Sequence, residues 1–360
     1  MGLFPRETEK SVPALLDRLQ DDSAEVRVTA LLSLGKLGKN KSGVEEALRK
    51  FSNDPDPLTQ LNSLVALAML GKVDDSQLPE LAKALANKEE ATAKAAVRVL
   101  SDIGLKEPGK VLTAVGEVLA ANDSSGAGNA LRVLRNMKGA AAPALPQIVE
   151  FYDRAGDQTR REIVDAVLRI DQRGDHALVV LAKAVKAAPD ASDRREALEG
   201  LLRFRSTADR LLDPAMGAFK DEDPVNRFLA VRIVRGLGQD GVRALPDLIA
   251  LTKDPDVRVR TPAITAIAAF RPSPPEVFDA LERSLKDKDF RVRLATATAL
   301  KQLEKDHPEK VANLLKQAVD VETHDPTRRA MASMLKGMAG AGEGKSEGPE
   351  GQSARGTTKP

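Results

Sequence analysis

The stretch that decides the fold is DPDVRVRTPAITAIAAF, residues 254–270, because almost the same phrase returns as DKDFRVRLATATALKQL, residues 287–303. Both stretches begin with Asp-x-Asp, pass through an apolar residue into Arg-Val-Arg, and continue with small and branched residues at helical spacing. The step from Asp254 to Asp287 is 33 residues. A period of this length is typical of chains that stack one small structural unit on the next, since no single unit buries its own apolar face.

An apolar triplet spaced i, i+3, i+6 keeps its phase along nearly the whole chain, moving by 33 or 34 residues at each step. Residues at this spacing lie on one stripe of an α-helix, so each repeat is predicted to end in an amphipathic helix. The triplets are Leu31, Leu34, Leu37; Leu64, Leu67, Leu70; Val97, Leu100, Ile103; Leu131, Leu134, Met137; Val164, Val167, Ile170; Leu198, Leu201, Phe204; Val231, Val234, Leu237; Ile264, Ile267, Phe270; Ala297, Leu300, Leu303; and a last, partial Met331 and Met334.

A second helix is predicted upstream of the stripe in each repeat. Its segments read VPALLDRL, LPELAKAL, ALPQIVEF and ALPDLIAL, and Pro13, Pro79, Pro146 and Pro246 fall near their starts, where proline is tolerated. Aspartates in the polar turn between the two helices are placed to cap the second one. The sequence therefore predicts an all-α fold of about ten helix–turn–helix repeats.

The composition supports helices and excludes several classes of function. Hydrophobic residues make up 42% of the chain but aromatic residues only 3%, which favours closely packed helices over sheets. A net charge of +2 is weak for a protein that binds nucleic acid. The absence of cysteine excludes disulfides, thiol nucleophiles and cysteine metal sites. No signal-peptide core or apolar run of membrane-spanning length is present, so we expect a cytoplasmic protein.

Three segments are predicted along the chain. Residues 1–10 form a lead-in, residues 11–338 form the repeats, and residues 339–360 form a disordered tail. The tail reads AGAGEGKSEGPEGQSARGTTKP after Met338, and its Gly, Ser and charged residues carry no apolar spacing that a helix could bury.

The phrase Asp-x-x-x-Val-Arg, followed by Ala and Leu at helical spacing and a Leu-Gly end, resembles HEAT repeats of the short variety named after phycobilisome lyases. The match is clearest in DDSAEVRVTALLSLGKLG, residues 21–38, and DEDPVNRFLAVRIVRGLG, residues 221–238. The resemblance implies a right-handed α-solenoid, or superhelix, whose second helices line a concave side. It also implies a structural ladder between repeats, built here from Arg27, Arg160, Arg194, Arg227, Arg260 and Arg293 with Asp56, Asp223, Asp256 and Asp289.

No constellation of catalytic residues stands out in the sequence. The three histidines, His176, His307 and His324, form no His-x-x-x-His pair and none precedes Glu, whereas HEAT-type iron hydroxylases use paired His-Glu motifs. No phosphate-binding loop is present, and Tyr152 is the one Tyr or Trp available for stacking on bases. We therefore predict no catalytic, cofactor-binding or metal-binding residue. An enzyme subunit of the phycobilin-lyase kind and a nucleic-acid-binding protein remain the alternatives.

The face of the second helix opposite the apolar stripe is the predicted binding surface. Helical phase places arginines there in repeats three to seven, and arginine presents a flat donor fork suited to carboxylates. These residues are Arg98, Arg132, Arg169, Arg203 and Arg232, with Arg135 and Arg235 on the flank. We predict a monomeric, non-catalytic scaffold or adaptor that binds a protein partner, such as an acidic segment, along this face. The alternative is a charged surface that pairs with itself, through Asp102, Glu162, Asp165, Glu196 and Glu199.

The same helical phase also places Leu32, Val65 and Met69 outward in the first two repeats. Exposed apolar groups of this kind often mark a contact surface. The sequence leaves two interpretations open, namely a partner-binding patch and a patch covered by Leu3 and Phe4.

Overall fold

The computed structural model describes residues 5–121, 124–204 and 208–343, with side chains described over 11–121, 126–204 and 210–338. All of the regular secondary structure in these ranges is helical. The chain divides into two compact units, residues 1–188 and 189–360, and the boundary falls between the two helices of the sixth repeat. No helix in the described ranges is long and apolar enough to cross a membrane.

Unit 1 contains five helix pairs and one further helix. The helices are α1 (Pro5–Arg18), α2 (Ala24–Leu37), α3 (Val44–Phe51), α4 (Pro57–Met69), α5 (Leu78–Lys83), α6 (Glu90–Lys106), α7 (Pro108–Ala120), α8 (Ser124–Met137), α9 (Leu145–Arg154), α10 (Asp157–Ile170) and α11 (Ala177–Ala187). Short 3₁₀ segments flank α5 at Asp75–Gln77 and Ala84–Ala86, and another precedes α9 at Lys138–Ala144.

Unit 2 continues the same alternation of first and second helices. Its helices are α12 (Ala191–Leu201), α13 (Ala208–Ala218), α14 (Pro224–Gly236), α15 (Leu245–Leu251), α16 (Val257–Ile267), α17 (Pro275–Ser284), α18 (Phe290–Gln302), α19 (Pro308–Val321) and α20 (Asp325–Glu343). The even-numbered helices of both units are the predicted second helices. Each carries one copy of the apolar triplet, which ends one or more residues beyond the helix in several repeats.

The apolar stripe forms the core of each unit, as predicted. The middle residue of the triplet is buried in every repeat from Leu34 to Leu300, and Met331 is buried in the last repeat. Second helices pack against both the first helix of their own repeat and the second helix of the next, as α2 does with α1 and α4. The predicted all-α solenoid of stacked helical hairpins is therefore confirmed.

Local sequence rules place most helix starts correctly. Asp56, Asp223, Asp256 and Asp289 each cap a second helix by accepting a hydrogen bond from a backbone amide in its first turn. Pro79, Pro146 and Pro246 lie in the first turn of α5, α9 and α15.

The prediction for Pro13 is wrong, because α1 already begins at Pro5 and holds Pro13 in its interior. The polar residues RETEKS upstream of Pro13 extend the helix although they bring little apolar surface to bury. At the other end of the chain α20 reaches Glu343 and so includes the first five residues of the predicted tail. Residues 344–360, which make up the rest of the predicted tail, lie outside the described residues.

Candidate functional site

An arginine ladder joins successive repeats on the turn side of unit 2. Arg227 donates from Nε and Nη2 to the two carboxylate oxygens of Asp254, at 2.7 and 2.8 Å. Its Nη1 donates to the backbone carbonyls of Asp221 and Glu222, which lie in the turn of its own repeat. Each arginine therefore ties the turn of one repeat to a carboxylate in the next. The ladder pairs are Arg194–Asp221, Arg227–Asp254, Arg260–Asp287 and Arg293–Glu322.

The predicted carboxylate side of this ladder is wrong in unit 2. Asp223, Asp256 and Asp289 fold back onto the first amides of their own helices. Asp223 also accepts from Arg195 of the preceding repeat, which is the residue after the ladder arginine Arg194. The acceptor lies two residues earlier, at the first Asp of each Asp-x-Asp phrase or at Glu322. The same carboxylate accepts the backbone amide two residues later, which fixes the turn. The hydrogen bond from Arg293 holds the pKa of Glu322 below its usual value.

In unit 1 the ladder is reduced. Arg27 lies 3.6 Å from Asp56 and donates to the carbonyls of its own turn. Arg160 donates to the carbonyls of Tyr152 and Asp153. Between them the ladder position is occupied by Gln60, Ala93 and Ala127.

Neutral contacts join the repeats of unit 1 where the ladder is reduced. The Thr92 hydroxyl donates to Oδ1 of Asn62 at 2.7 Å, and both side chains are buried. The Asn136 side chain donates to the Ser101 hydroxyl at 3.2 Å. Gly35 lies so close to α4 that a Cβ added to it would be 2.9 Å from the Ala66 Cα.

Three of the predicted binding arginines meet in one open cleft of unit 1. Arg98, Arg135 and Arg169 come from the successive second helices α6, α8 and α10, and together with Lys94, Lys138 and several neutral residues they line a volume of about 710 Å³. A second cleft of about 780 Å³ adjoins it over α2, α4 and α6, and the two share Arg98 and Asp102. Clefts of this size accommodate ligands or peptide segments.

Nearby carboxylates pair with some of the predicted binding arginines of unit 1 and not with others. Asp165 accepts from Arg135 at 2.5 Å and from Arg169 at 2.8 Å. Burial raises the pKa of Asp165, but the hydrogen bonds from these two arginines outweigh it and hold the pKa below its usual value. Arg132 lies outside the cleft lining and approaches Glu162 at 3.9 Å. Arg98 is exposed, and no carboxylate of the described side chains pairs with it.

In unit 2 the predicted arginines also face outward. Arg203, Arg232 and Arg235 are exposed, and within the described side chains none of them pairs with a carboxylate. Arg232 stacks its guanidinium over the Phe228 ring, 5.6 Å from the centroid. The helical phase of the sequence thus identified exposed arginines in both units.

The predicted apolar patch in the first two repeats is not exposed. Leu32 is 7% exposed and Val65 is fully buried, while Met69 is half-buried with its sulfur over Gly35. The physical reason is the close approach of α2 and α4, which encloses side chains that lie opposite the hairpin core. Leu3 and Phe4, the predicted cover, lie outside the described residues.

The sequence missed the lysines that line the clefts. Lys36, Lys39, Lys106 and Lys138 lie near the ends of second helices or just after them, and Lys94 lies near the start of α6. Only Lys36 occupies one of the two outward positions counted from the apolar stripe. A count of basic residues in the last turn of each second helix and in the residues just after it would have shown Lys39, Lys106 and Lys138, but not Lys94.

Comparison with known families settles the type of repeat. The family described as HEAT repeats matches residues 12–101, 178–268 and 245–336, which is more than half of the chain. The chain belongs to the HEAT-repeat family. The match reaches both units and includes α2, α4 and the ladder of unit 2, whereas α8 and α10 lie outside the matched residues.

Two curated relatives match a short part of this chain. Deoxyhypusine hydroxylases of Aspergillus fumigatus and Neosartorya fischeri are each 39% identical over 83 residues, which cover 21% of this chain and 24% of each relative. The chain therefore spans about a quarter of the length of these curated relatives.

Two structural neighbours align with more than nine-tenths of this chain. A homology model of the full-length AP-3 complex in an intermediate open conformation matches 94% of this chain and 66% of that chain, with a TM-score of 0.58 and 13% identity. The karyopherin Kap121p bound to the extreme C-terminus of the phosphatase Cdc14p matches 93% of this chain and 42% of that chain, with a TM-score of 0.45 and 12% identity. At 13% identity the likeness to the AP-3 structure concerns the fold alone.

The histidines of this HEAT-repeat chain lie in separate structural settings. His307 meets the Phe278 ring edge-on, with centroids 4.9 Å apart. His324 stacks on Phe290 at 4.0 Å, and its Nδ1 lies 2.9 Å from the Thr327 hydroxyl. Among the described residues no group of three or more His, Asp or Glu side chains gathers as metal ligands.

Proposed function

We propose that this protein is a non-catalytic, cytoplasmic scaffold that binds protein partners through the exposed face of its second helices. The observation that carries the proposal is the contrast between two sets of arginines. The ladder arginines of unit 2 are each held by a carboxylate of the next repeat and by carbonyls of their own turn. Arg98, Arg232 and Arg235 project from second helices, and Arg203 from the turn after α12, without such a carboxylate partner among the described side chains.

An acidic partner segment suits these exposed guanidinium groups. A carboxylate accepts two parallel N–H donors from one arginine, a geometry that a compact ammonium group does not offer. Each unit has its own set, with Arg98, Arg132, Arg135 and Arg169 in unit 1 and Arg203, Arg232 and Arg235 in unit 2. The Asp-x-x-x-Val-Arg phrase further supports assigning these repeats to the short, phycobilisome-lyase-like variety of HEAT repeat.

Site-specific photo-crosslinking tests the proposed binding face. A benzoylphenylalanine introduced at Asn136, on the exposed face of α8, is expected to capture partner proteins from native lysate. The same group at Glu117, exposed on the first helix α7, is the matched control. Adducts at position 136 that are absent at position 117 would support the proposal. The same adducts at both positions, or none at position 136, would overturn it.

A further inference from the structure

The two clefts of unit 1 form one basic groove across the second helices α2, α4, α6, α8 and α10. We call it the basic groove. Its cationic residues are Lys36, Lys39, Lys94, Arg98, Lys106, Lys110, Arg135, Lys138 and Arg169, and its acidic lining residues are Asp75, Asp102 and Glu107. The basic groove thus carries a clear positive excess in a chain whose net charge is only +2.

Part of this positive charge is neutralised locally and part is not. Lys110 pairs with Asp75 and Glu107, while Arg135 and Arg169 share Asp165. Lys36, Lys39, Arg98, Lys106 and Lys138 have no carboxylate partner among the described side chains. These five unpaired cations extend from α2 to the loop after α8, so the positive charge is distributed along the basic groove.

An exposed leucine lies within the charged lining. Leu105 is 54% exposed and lines the same cleft as Val97, between the cationic groups of α6 and α8. An exposed leucine loses unfavourable contact with water when an apolar side chain covers it. The basic groove therefore offers two kinds of contact, cationic along its length and apolar at Val97 and Leu105 of α6.

The length of the basic groove fits an extended peptide. Five second helices packed at roughly 10 Å span on the order of 40 Å, which equals about twelve residues of extended chain. No aromatic side chain lines either cleft, so a single-stranded nucleic acid would find no surface for base stacking. Charge complementarity then favours an acidic polypeptide.

We propose that the basic groove binds an extended acidic segment of a partner protein, with two carboxylate clusters separated by one large apolar residue. The carboxylates pair with the unpaired lysines and Arg98, and the apolar residue covers Leu105 and Val97. This inference rests on the proposed scaffold function and specifies the partner chemistry for unit 1.

Fluorescence anisotropy with the full chain tests the inference directly. The probe is a labelled peptide of about twelve residues, with three glutamates on each side of a central leucine. We expect saturable binding that weakens at least tenfold when Arg98→Glu and Lys106→Glu are combined. Lys50→Glu combined with Lys186→Glu makes the same change in net charge at exposed sites outside the basic groove and is expected to leave binding within about twofold. Equal losses in the two double variants, or no binding by the wild type, would overturn the inference.

Two further probes separate the apolar contact from general attraction to anions. Replacing the central leucine of the peptide by serine, or Leu105→Ala in the protein, is expected to weaken binding about threefold to tenfold, and combining the two changes should add little more. A single-stranded oligonucleotide that binds more tightly than the peptide would assign the basic groove to nucleic acid. If crosslinked partners are found at position 136 but the peptide does not bind, the scaffold function stands and the acidic-segment inference fails.

Discussion

Arg260 and Asp287 belong to successive repeats and are joined by two parallel hydrogen bonds, from Nε at 2.8 Å and from Nη2 at 3.0 Å. The third nitrogen, Nη1, donates to the carbonyls of Asp254 and Pro255 at 2.9 and 3.1 Å. Only 6% of the Arg260 side chain is exposed. One buried guanidinium thus closes a turn and fixes the position of the next repeat.

We expect Arg260→Met to destabilise unit 2 by about 3 kcal/mol, because it leaves the largely buried Asp287 carboxylate and two carbonyls without their donor. The matched control is Arg258→Met, which removes an exposed arginine that pairs only with Asp256 of its own turn. This control is expected to cost less than about 1 kcal/mol. Urea unfolding followed by circular dichroism, with hydrogen exchange of α16 and α18, measures both. Equal losses in the two variants would contradict the role of the ladder.

Acid is expected to weaken the second helices of unit 2. The hydrogen bond from the Arg258 side chain lowers the pKa of Asp256 to about 2, and the Arg291 side chain lowers the pKa of Asp289 to about 2. Because these values lie below the unfolded value of about 3.9, the stabilisation is complete above pH ~4 and is lost as the pH falls towards 2.

The test for this pH dependence is Asp256→Asn combined with Asp289→Asn, which keeps an oxygen to cap each helix but removes the charge. We expect the variant to be less stable than the wild type at pH 6, and the difference to shrink between pH 4 and pH 2. Urea midpoints at each pH provide the measurement. A difference that stays constant over this range would show that the two carboxylates do not supply the pH dependence.

The sequence predicts the fold well because the fold depends on a local and repeated pattern. The triplet Leu31, Leu34 and Leu37 fixes the buried stripe of one helix without knowledge of its neighbours, and the same is true of the cap at Asp256. A local pattern could not predict which aspartate accepts the hydrogen bonds of the ladder arginine. Asp254 and Asp256 differ only in the direction that the turn gives their side chains, which is a property of the folded turn.

Contacts between neighbouring repeats limited the prediction of the site. The helical phase of the sequence predicted that both Arg98 and Leu32 face outward, and this is correct for Arg98 and wrong for Leu32. The phase locates the side chains that face the core of one hairpin, but it does not include the second helix of the next repeat, which packs alongside. Leu32 is buried because α2 and α4 approach closely at Gly35, and this contact is visible only in the folded structure. The basic groove also needs lysines such as Lys106, whose proximity to Arg98 arises from stacking.

Gly35→Ala is expected to destabilise unit 1 by about 1–3 kcal/mol. The added Cβ would lie 2.9 Å from the Ala66 Cα, and because this neighbour is backbone, α2 and α4 must move apart to relieve the contact. The control is Gly109→Ala in α7, where nothing lies within 4 Å and the same change is expected to be neutral or slightly stabilising. Thermal and urea unfolding measure both variants. A Gly35→Ala protein as stable as the control would show that the helices separate at no cost.

The buried hydrogen bond between Asn62 and Thr92 joins repeats two and three, where no ladder arginine is present. Substitutions at these two residues test how much this bond stabilises the interface. Thr92→Val keeps the shape of the side chain but leaves Oδ1 of Asn62 without its donor, so we expect a loss of about 1–3 kcal/mol. The control is Thr29→Val, which removes an exposed hydroxyl bonded to the Glu25 carbonyl of its own helix, and it is expected to cost no more than about 0.5 kcal/mol.

A double variant completes this test. Asn62→Leu with Thr92→Val removes both polar partners, and urea unfolding should show a smaller loss than the sum of the two single changes, because no buried oxygen is then left unpaired. Additive losses would mean that Asn62 and Thr92 stabilise the stack independently. The interface between α4 and α6 would then depend on apolar packing alone, and the reduced ladder of unit 1 would have no polar substitute at this position.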